Sequence, residues 1–481
     1  MQKILKHLSL WSITLISGLC FFYLLAIKTG FFDKQTDLSQ IHDFELNQQT
    51  QWMNIFQNNK KIGYTKKQIK IKKDSYVLIH KTYMKINTMG VIQDMHIDTK
   101  GFFNKDHSLS AFEFKFNSDL FKFFSKGEIK DNLLTIDVDN KIIEIPVTQP
   151  LYLSENISKL AYSLNLKTEQ SETFKIFDAA SMGNINVKLT MKGYENIDVM
   201  GKKQKTMKLL IDYKGAIQTA WIDLNGDIVQ ETGFLGLCLK KTNEYNALNS
   251  AVDSSTELTK LASVDSNIKL DNIENIKKII IKISGVDSID CSSQRQNFSN
   301  NILTIEKENN LDNNNKTLSF ENNKYLTSTP LIQSDHPLII DKVNEIISKD
   351  DNDLTKAKKI IKWLYNNIQK KPVISVPNAL ETLKNKMGDC NEHSALMAAM
   401  TRAANIPSKI EAGLVYLKGR FYYHAWNSIY IGKWITVDSL MGQIPADITH
   451  ICLVSGGLDK QLDIIKAIGN IKLDILSYEF E

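Results

Sequence analysis

Three residue types near the C-terminal end of the chain, taken in order, are the parts of an acyl-transfer site. They are Cys390 in the step Gly388-Asp389-Cys390, His424 in His424-Ala425-Trp426, and Asp438 after Trp434. In such a set a thiolate attacks a carbonyl, an imidazole moves the proton, and a carboxylate orients the imidazole. The product is an acyl-thioester on the cysteine, which water or an amine then resolves.

The surrounding text says how these side chains are held. Asp389 and Glu392 read as a capping pair just before an apolar run, which puts Cys390 in the first turn of a helix. The helix runs to about Ala404 and is stopped by Asn405-Ile406-Pro407; Ala395 to Met400 is apolar nearly all round, so it is buried. A thiol at a helix N-terminus faces free N–H groups and the positive end of the dipole, so a lowered thiol pKa and an oxyanion site are expected. A meander follows: Ile410 to Leu417, Phe421 to Tyr430 and Trp434 to Asp438 are strands, separated by Lys418-Gly419-Arg420 and Ile431-Gly432-Lys433. This sets His424 and Asp438 on adjacent strands, within a residue or two of opposition, with the register open.

Glu392 and His393 are read as cap and support for the site. A metal bound by Cys390, Glu392 and His393 is not expected, because no second ligand pair with metal spacing exists. No D-x-D-x-D-G calcium loop is present either, so no cofactor is expected. Tyr422, Tyr423 and Trp426 are candidate walls of a substrate cleft, with Asp389 at the cap. Upstream, Leu338 to Ser348 predicts one helix. Asp353 caps a second, in which Leu354, Ala357, Ile361, Leu364 and Ile368 recur at steps of three and four. A third lies near Pro377 to Lys386.

The N-terminal half reads differently. From about Trp52 to Leu248 apolar and polar residues alternate, as in Ile185, Val187, Leu189 and Met191, and Asn225-Gly226 between two apolar runs is a hairpin signal. A large, twisted antiparallel sheet is expected, followed by a small β module with an Asn-rich loop at Asn309 to Asn315. The chain has 481 residues, 43% hydrophobic and 23% charged, with a net charge of +5 and arginine only at Arg295, Arg402 and Arg420. Positive and negative charges are mixed, so no basic stripe points to nucleic acid. The five cysteines, Cys20, Cys238, Cys291, Cys390 and Cys452, have neither disulfide-framework nor C-x-x-C spacing.

At the start, Lys3, Lys6 and His7 precede an apolar run from Leu8 to Ile27 closed by Lys28. About 20 apolar residues span a bilayer, and basic residues on the N-terminal side hold that end in the cytoplasm. No A-x-A cleavage site follows, so an uncleaved signal anchor is expected. Leu19 is too bulky for the residue before a lipidated cysteine, which argues against lipidation of Cys20.

Three motifs carry a family likeness. Gly388-Asp389-Cys390-Asn391-Glu392-His393, His424-Ala425-Trp426 and Trp434-Ile435-Thr436-Val437-Asp438 resemble those of the transglutaminase-like superfamily, which is related in fold to papain-like cysteine proteases. The resemblance covers about Tyr325 to Glu481. Asn405 stands where glycine is commoner and Ser439-Leu440 where many members have Asp-Pro, while Gln443 to His450 is similar to the tail of a bacterial, membrane-anchored subgroup. The resemblance implies Cys390 as nucleophile, His424 as base and Asp438 as its orienter. The fold expected is α+β: a signal anchor or transmembrane helix at 1–30, an antiparallel β-rich domain at 50–250, a β/linker module at 251–330 and a transglutaminase-like (papain-like) domain at 331–481. The function expected is an envelope cysteine acyltransferase or hydrolase on a protein or peptide substrate. The anchor would sit in a bacterial inner membrane with the bulk of the chain in the periplasm. The alternative is a non-catalytic envelope scaffold carrying a relic of the fold.

Overall fold

The computed structural model describes residues 47–481 apart from 120, 139–140, 179–182, 214, 255, 287–292, 294, 310–319, 457–463 and 465–466. The expected anchor at 1–30, most of the Asn-rich loop, Cys20 and Cys291 lie outside the described residues. Among those described, no helix is long and apolar enough to cross a membrane.

Strand β1 (Gln49–Gln57) lies in the middle of a 14-stranded antiparallel sheet. From it β2 (Lys60–Ile71), β3 (Ser75–Thr88), β4 (Val91–Asn104), β5 (Leu109–Ser118), β6 (Lys122–Lys130), β7 (Leu133–Val138) and β8 (Lys141–Pro146) meander outwards to one edge. The chain crosses by the short helix α1 (Ile157–Ser163) to the other edge. It returns through β9 (Ser171–Asp178), β10 (Gly183–Val199), β11 (Lys202–Tyr213), β12 (Ala216–Ile222), β13 (Ile228–Thr232) and β14 (Leu237–Thr242), which pairs with β1. The alternation seen in the sequence is the reason: Val187, Leu189 and Met191 are buried and pack with Ile157 and Leu160 of α1. The sheet curls on itself. Phe112 of β5 and Phe177 of β9 approach to 5.3 Å between ring centroids, and Leu134, Ile145, Lys175 and Phe177 line one crevice between the edges.

Beyond α2 (Glu244–Asn249) and α3 (Leu258–Ala262) come β15 (Val264–Asp265), β16 (Ile276–Ser284), β17 (Gln296–Ser299) and β18 (Ile302–Glu306). The helical part follows, with α4 (Pro337–Ile346), α5 (Asp353–Asn367), β19 (Gln369–Lys370), α6 (Ala379–Asn385), β20 (Met387–Gly388) and α7 (Cys390–Ala403). The last strands are β21 (Ser408–Leu417), β22 (Arg420–Tyr430), β23 (Trp434–Val437), β24 (Ile451–Gly456) and β25 (Lys472–Phe480). Helix α5 is capped by Asn352, whose side chain accepts from Thr355 N–H at 2.8 Å; Asp353, the expected cap, is its first residue. The expected β module is not a unit of contiguous chain. Its β16 pairs with β25 from the chain's end, and its β15 pairs with β22.

Two cores flank β21 and β22. Ile339, Ile361, Leu364, Leu396 and Met400 from the helices meet Ile429 and Val437 in one, and Leu414 and Phe421 meet Ile281, Leu303 and Leu473 in the other. Every side chain of α7 from Glu392 to Arg402 is buried. At roughly 1.5–3 kcal/mol for each Leu or Met, Leu396, Met397 and Met400 fix the helix, and with it the position of Cys390. The curled sheet also reaches this part. Gln93 of β4 donates through Nε2 to Pro372 O at 3.1 Å and accepts from Ile374 N–H at 3.3 Å. Ile374 and Val376 pack on the sheet's core.

Candidate active site

The capping residues are in place around the candidate nucleophile. Asp389 Oδ1 accepts from Asn391 N–H at 3.0 Å, and Glu392 Oε2 accepts from Asp389 N–H at 2.9 Å, closing a reciprocal capping box. Glu392 Oε1 also takes the hydroxyl of Ser375, from the segment gripped by Gln93. Gly388 is needed here because a Cβ would lie 2.3 Å from Glu392 Cβ. Strand β22 pairs with β15 only at Arg420 and Phe421 and with β23 only from Asn427 onward. The start of α7 meets the open edge between them. Asn427 Nδ2 donates to Ser394 O at 3.0 Å, and Ala425 N–H donates to the Cys390 sulfur.

The protonation of Cys390 differs from the expectation. Burial pushes the thiol well above its ordinary value, and the Asp389, Glu392 and Asp438 carboxyl groups push the same way, against the Ala425 N–H. Burial, with these carboxyl groups adding to it, outweighs the half charge of a helix N-terminus. The resting group is a thiol, not a pre-formed thiolate, and it needs a base to become a nucleophile.

The expected base, His424, and its expected orienter, Asp438, meet across β22 and β23. Asn427 is paired with Val437, so Asp438 falls opposite Trp426 and diagonal to His424, on the same face. His424 Nε2 and Asp438 Oδ2 are 2.6 Å apart. This contact engages Nε2 and fixes the ring. Both residues are buried, His424 at 8% exposure and Asp438 at 1%. Trp426 stacks on His424 with centroids 6.0 Å apart at 21°, and its Nε1 donates to Glu411 Oε2 at 3.0 Å.

Beyond the three expected residues the structure adds a second imidazole. His450 Nε2 lies 3.0 Å from the same Asp438 Oδ2, and its Nδ1 lies 3.2 Å from Asp447 Oδ1. Asp438 Oδ1 accepts from Met441 N–H at 2.9 Å. Burial alone would raise the Asp438 carboxyl, but His424 and His450 together hold it well below the usual carboxylate range. Burial opposes a charge on His450 too, yet its bonds to Asp438 and Asp447 outweigh that and raise it to about 9. The two carboxylates thus favour the protonated form of His450. Arg295, just before β17, locks this loop: it donates to Thr436 Oγ1 at 3.1 Å, Ala446 O at 2.9 Å, Asp447 O at 3.0 Å and His450 O at 2.6 Å. Neither residue was assigned to the site from sequence. The signal available was Asp447 and His450 within the Gln443 to His450 stretch, whose packing against Asp438 no local pattern reports.

His424, Asp438 and His450 offer donor atoms within 4.8 Å of one another, the only such group that could hold a metal among the described residues. Two ligands of a tetrahedral zinc stand about 3.3 Å apart, given bonds of about 2.0–2.1 Å. The 2.6 and 3.0 Å separations to Oδ2 are those of shared protons. His393 is buried, with Nδ1 3.0 Å from Asp389 O, and burial lowers it to about 4, so it is neutral. Tyr423 is a correction. Neighbours on a strand face opposite sides, and Tyr423 points away from His424 into the core shared with β16 to β18. Cys238 is a free thiol.

Residues 340–439 match the sequence profile of the transglutaminase-like superfamily, so this part of the chain is a transglutaminase-like domain. No curated protein matches the chain. Similar solved structures include a β-barrel-like protein of unknown function from Brucella abortus, at 11% identity over 42% of this chain and 98% of that one, with a TM-score of 0.35. A second, from Cytophaga hutchinsonii and provisionally termed a cysteine protease, is 17% identical over 43% of this chain and 87% of that one, with a TM-score of 0.28. Both TM-scores are too low to carry an argument about this protein.

Proposed function

We propose that the chain is a cysteine acyltransferase or hydrolase acting on amide bonds of a protein or peptide. Cys390 attacks the carbonyl carbon as His424 takes the thiol proton, and the amine leaves with that proton. The acyl-thioester then passes to water, or alternatively to an amine. Asp438 holds His424 in the tautomer this requires. The observation that carries the reading is the 2.6 Å His424–Asp438 contact on the strand whose Ala425 N–H meets the Cys390 sulfur. The same N–H, with those at the start of α7, suits the developing oxyanion. The apolar run from Leu8 to Ile27, with lysines before it, supports an anchored chain working outside the cytoplasmic membrane.

The test is alkylation by iodoacetamide at about pH 8, read at each cysteine by mass spectrometry. Cys390 should react at least 10-fold faster than Cys452, and His424→Ala should remove the advantage. Labelling of Cys390 no faster than Cys452 would favour a non-catalytic scaffold instead.

A further inference from the structure

We propose that His450, held by Asp447, is a positioning residue for this site: it grips the Asp438 oxygen that His424 uses and shares that carboxylate's negative charge. The inference rests on the reading of Cys390, His424 and Asp438 above. Four groups form an unbroken line, with His424 Nε2 at 2.6 Å from Asp438 Oδ2, that oxygen at 3.0 Å from His450 Nε2, and His450 Nδ1 at 3.2 Å from Asp447 Oδ1. His450 is fully buried, and its side chain engages Asp438 and Asp447, so it acts through Asp438. Asp447 is fixed in turn, accepting from Thr449 N–H at 2.9 Å and Gln443 Nε2 at 3.0 Å.

The consequence is electrostatic. With a lone carboxylate behind it, an imidazole base clings to its proton. A second imidazole on the same oxygen offsets that pull and keeps His424 ready to accept. The charged groups facing His450 are Asp438 and Asp447 from its own loop, His424 from β22 and Arg295 at its carbonyl. Glu308 stands behind Arg295 and Glu411 behind the Trp426 ring that abuts His450. The His424 and His450 rings are 5.7 Å apart. Losing one unit charge at that distance should move the pH at which the base is freed upward by roughly one to two units.

The test is the pH profile of Cys390 alkylation by iodoacetamide in the full chain, for the wild type, His450→Gln, His450→Asn and His424→Ala. Glutamine can keep a hydrogen bond to Asp438 but carries no charge. The expected result is an acid limb that His424→Ala abolishes and that His450→Gln moves to higher pH by about one unit or more. A limb at the wild-type pH in His450→Gln, whatever its amplitude, overturns the proposal and leaves the three-residue site standing. A limb unchanged in His424→Ala would instead sink that site, and the proposal with it. Should His450→Gln not fold, His450→Asn, which is also uncharged, must shift the limb the same way, and an unmoved limb there overturns the proposal.

Discussion

Asp438→Asn is expected to lower turnover of an activated amide by about 10⁴-fold, the scale set by loss of an orienting carboxylate in other triads. The structure gives the reason. Asp438 accepts from two imidazoles through Oδ2 and from Met441 N–H through Oδ1. Asparagine has one acceptor oxygen. Turned toward the histidines, its amide leaves Met441 N–H facing another donor; turned the other way, it presents N–H groups to both rings. In the second case His424 accepts at Nε2, its proton moves to Nδ1, and Nδ1 can no longer take the proton of Cys390. The buried His450 cation also loses a counter-charge, which should cost about 3–5 kcal/mol of stability. Steady-state kinetics beside a thermal melt separates the two effects. Turnover within 10-fold of wild type would remove Asp438 from the mechanism.

Gly413→Ala is expected to cause a loss of stability comparable with that of Asp438→Asn. Gly413 pairs with His424 on one side and with Cys452 on the other. A Cβ there would lie 1.9 Å from Ile451 O and 2.9 Å from its carbonyl carbon. Backbone cannot swing aside as a side chain can, so β21 and β24 must separate where Ile451 follows His450. Overpacking of this kind costs about 3 kcal/mol. For a domain of this size that is a fall of roughly 6–12 °C in melting midpoint. Acid-limb displacement should accompany it, because His450 moves with β24. An unchanged midpoint would mean that the close approach is relieved without opening the sheet.

What the sequence made legible was local chemistry. Asp389 and Glu392 flank Cys390 at the spacing of a capping box, and α7 begins at Cys390. Asn225-Gly226 lies between β12 and β13, with Gly226 at a φ of +75° that glycine adopts freely. What it hid were partners distant in the chain. Nothing in Lys472 to Phe480 says that this strand joins β16, and nothing near Arg295 says that it binds the carbonyl of His450. The thiol's protonation was hidden for the same reason. The helix start that would lower it is local, whereas the burial that raises it most comes from segments distant in the chain, with Asp389 beside it adding to the rise. Tyr423 was misread because aromatic neighbours of a site histidine look alike until the strand assigns each to a face.

The most direct test of acyl transfer at Cys390 is mass spectrometry of the protein quenched in acid shortly after mixing with p-nitrophenyl acetate. The expected result is one acetyl group on Cys390, released by hydroxylamine and absent in His424→Ala, with methylamine speeding its loss if amines compete with water. Acetylation confined to lysines, with Cys390 unmodified, would contradict the account.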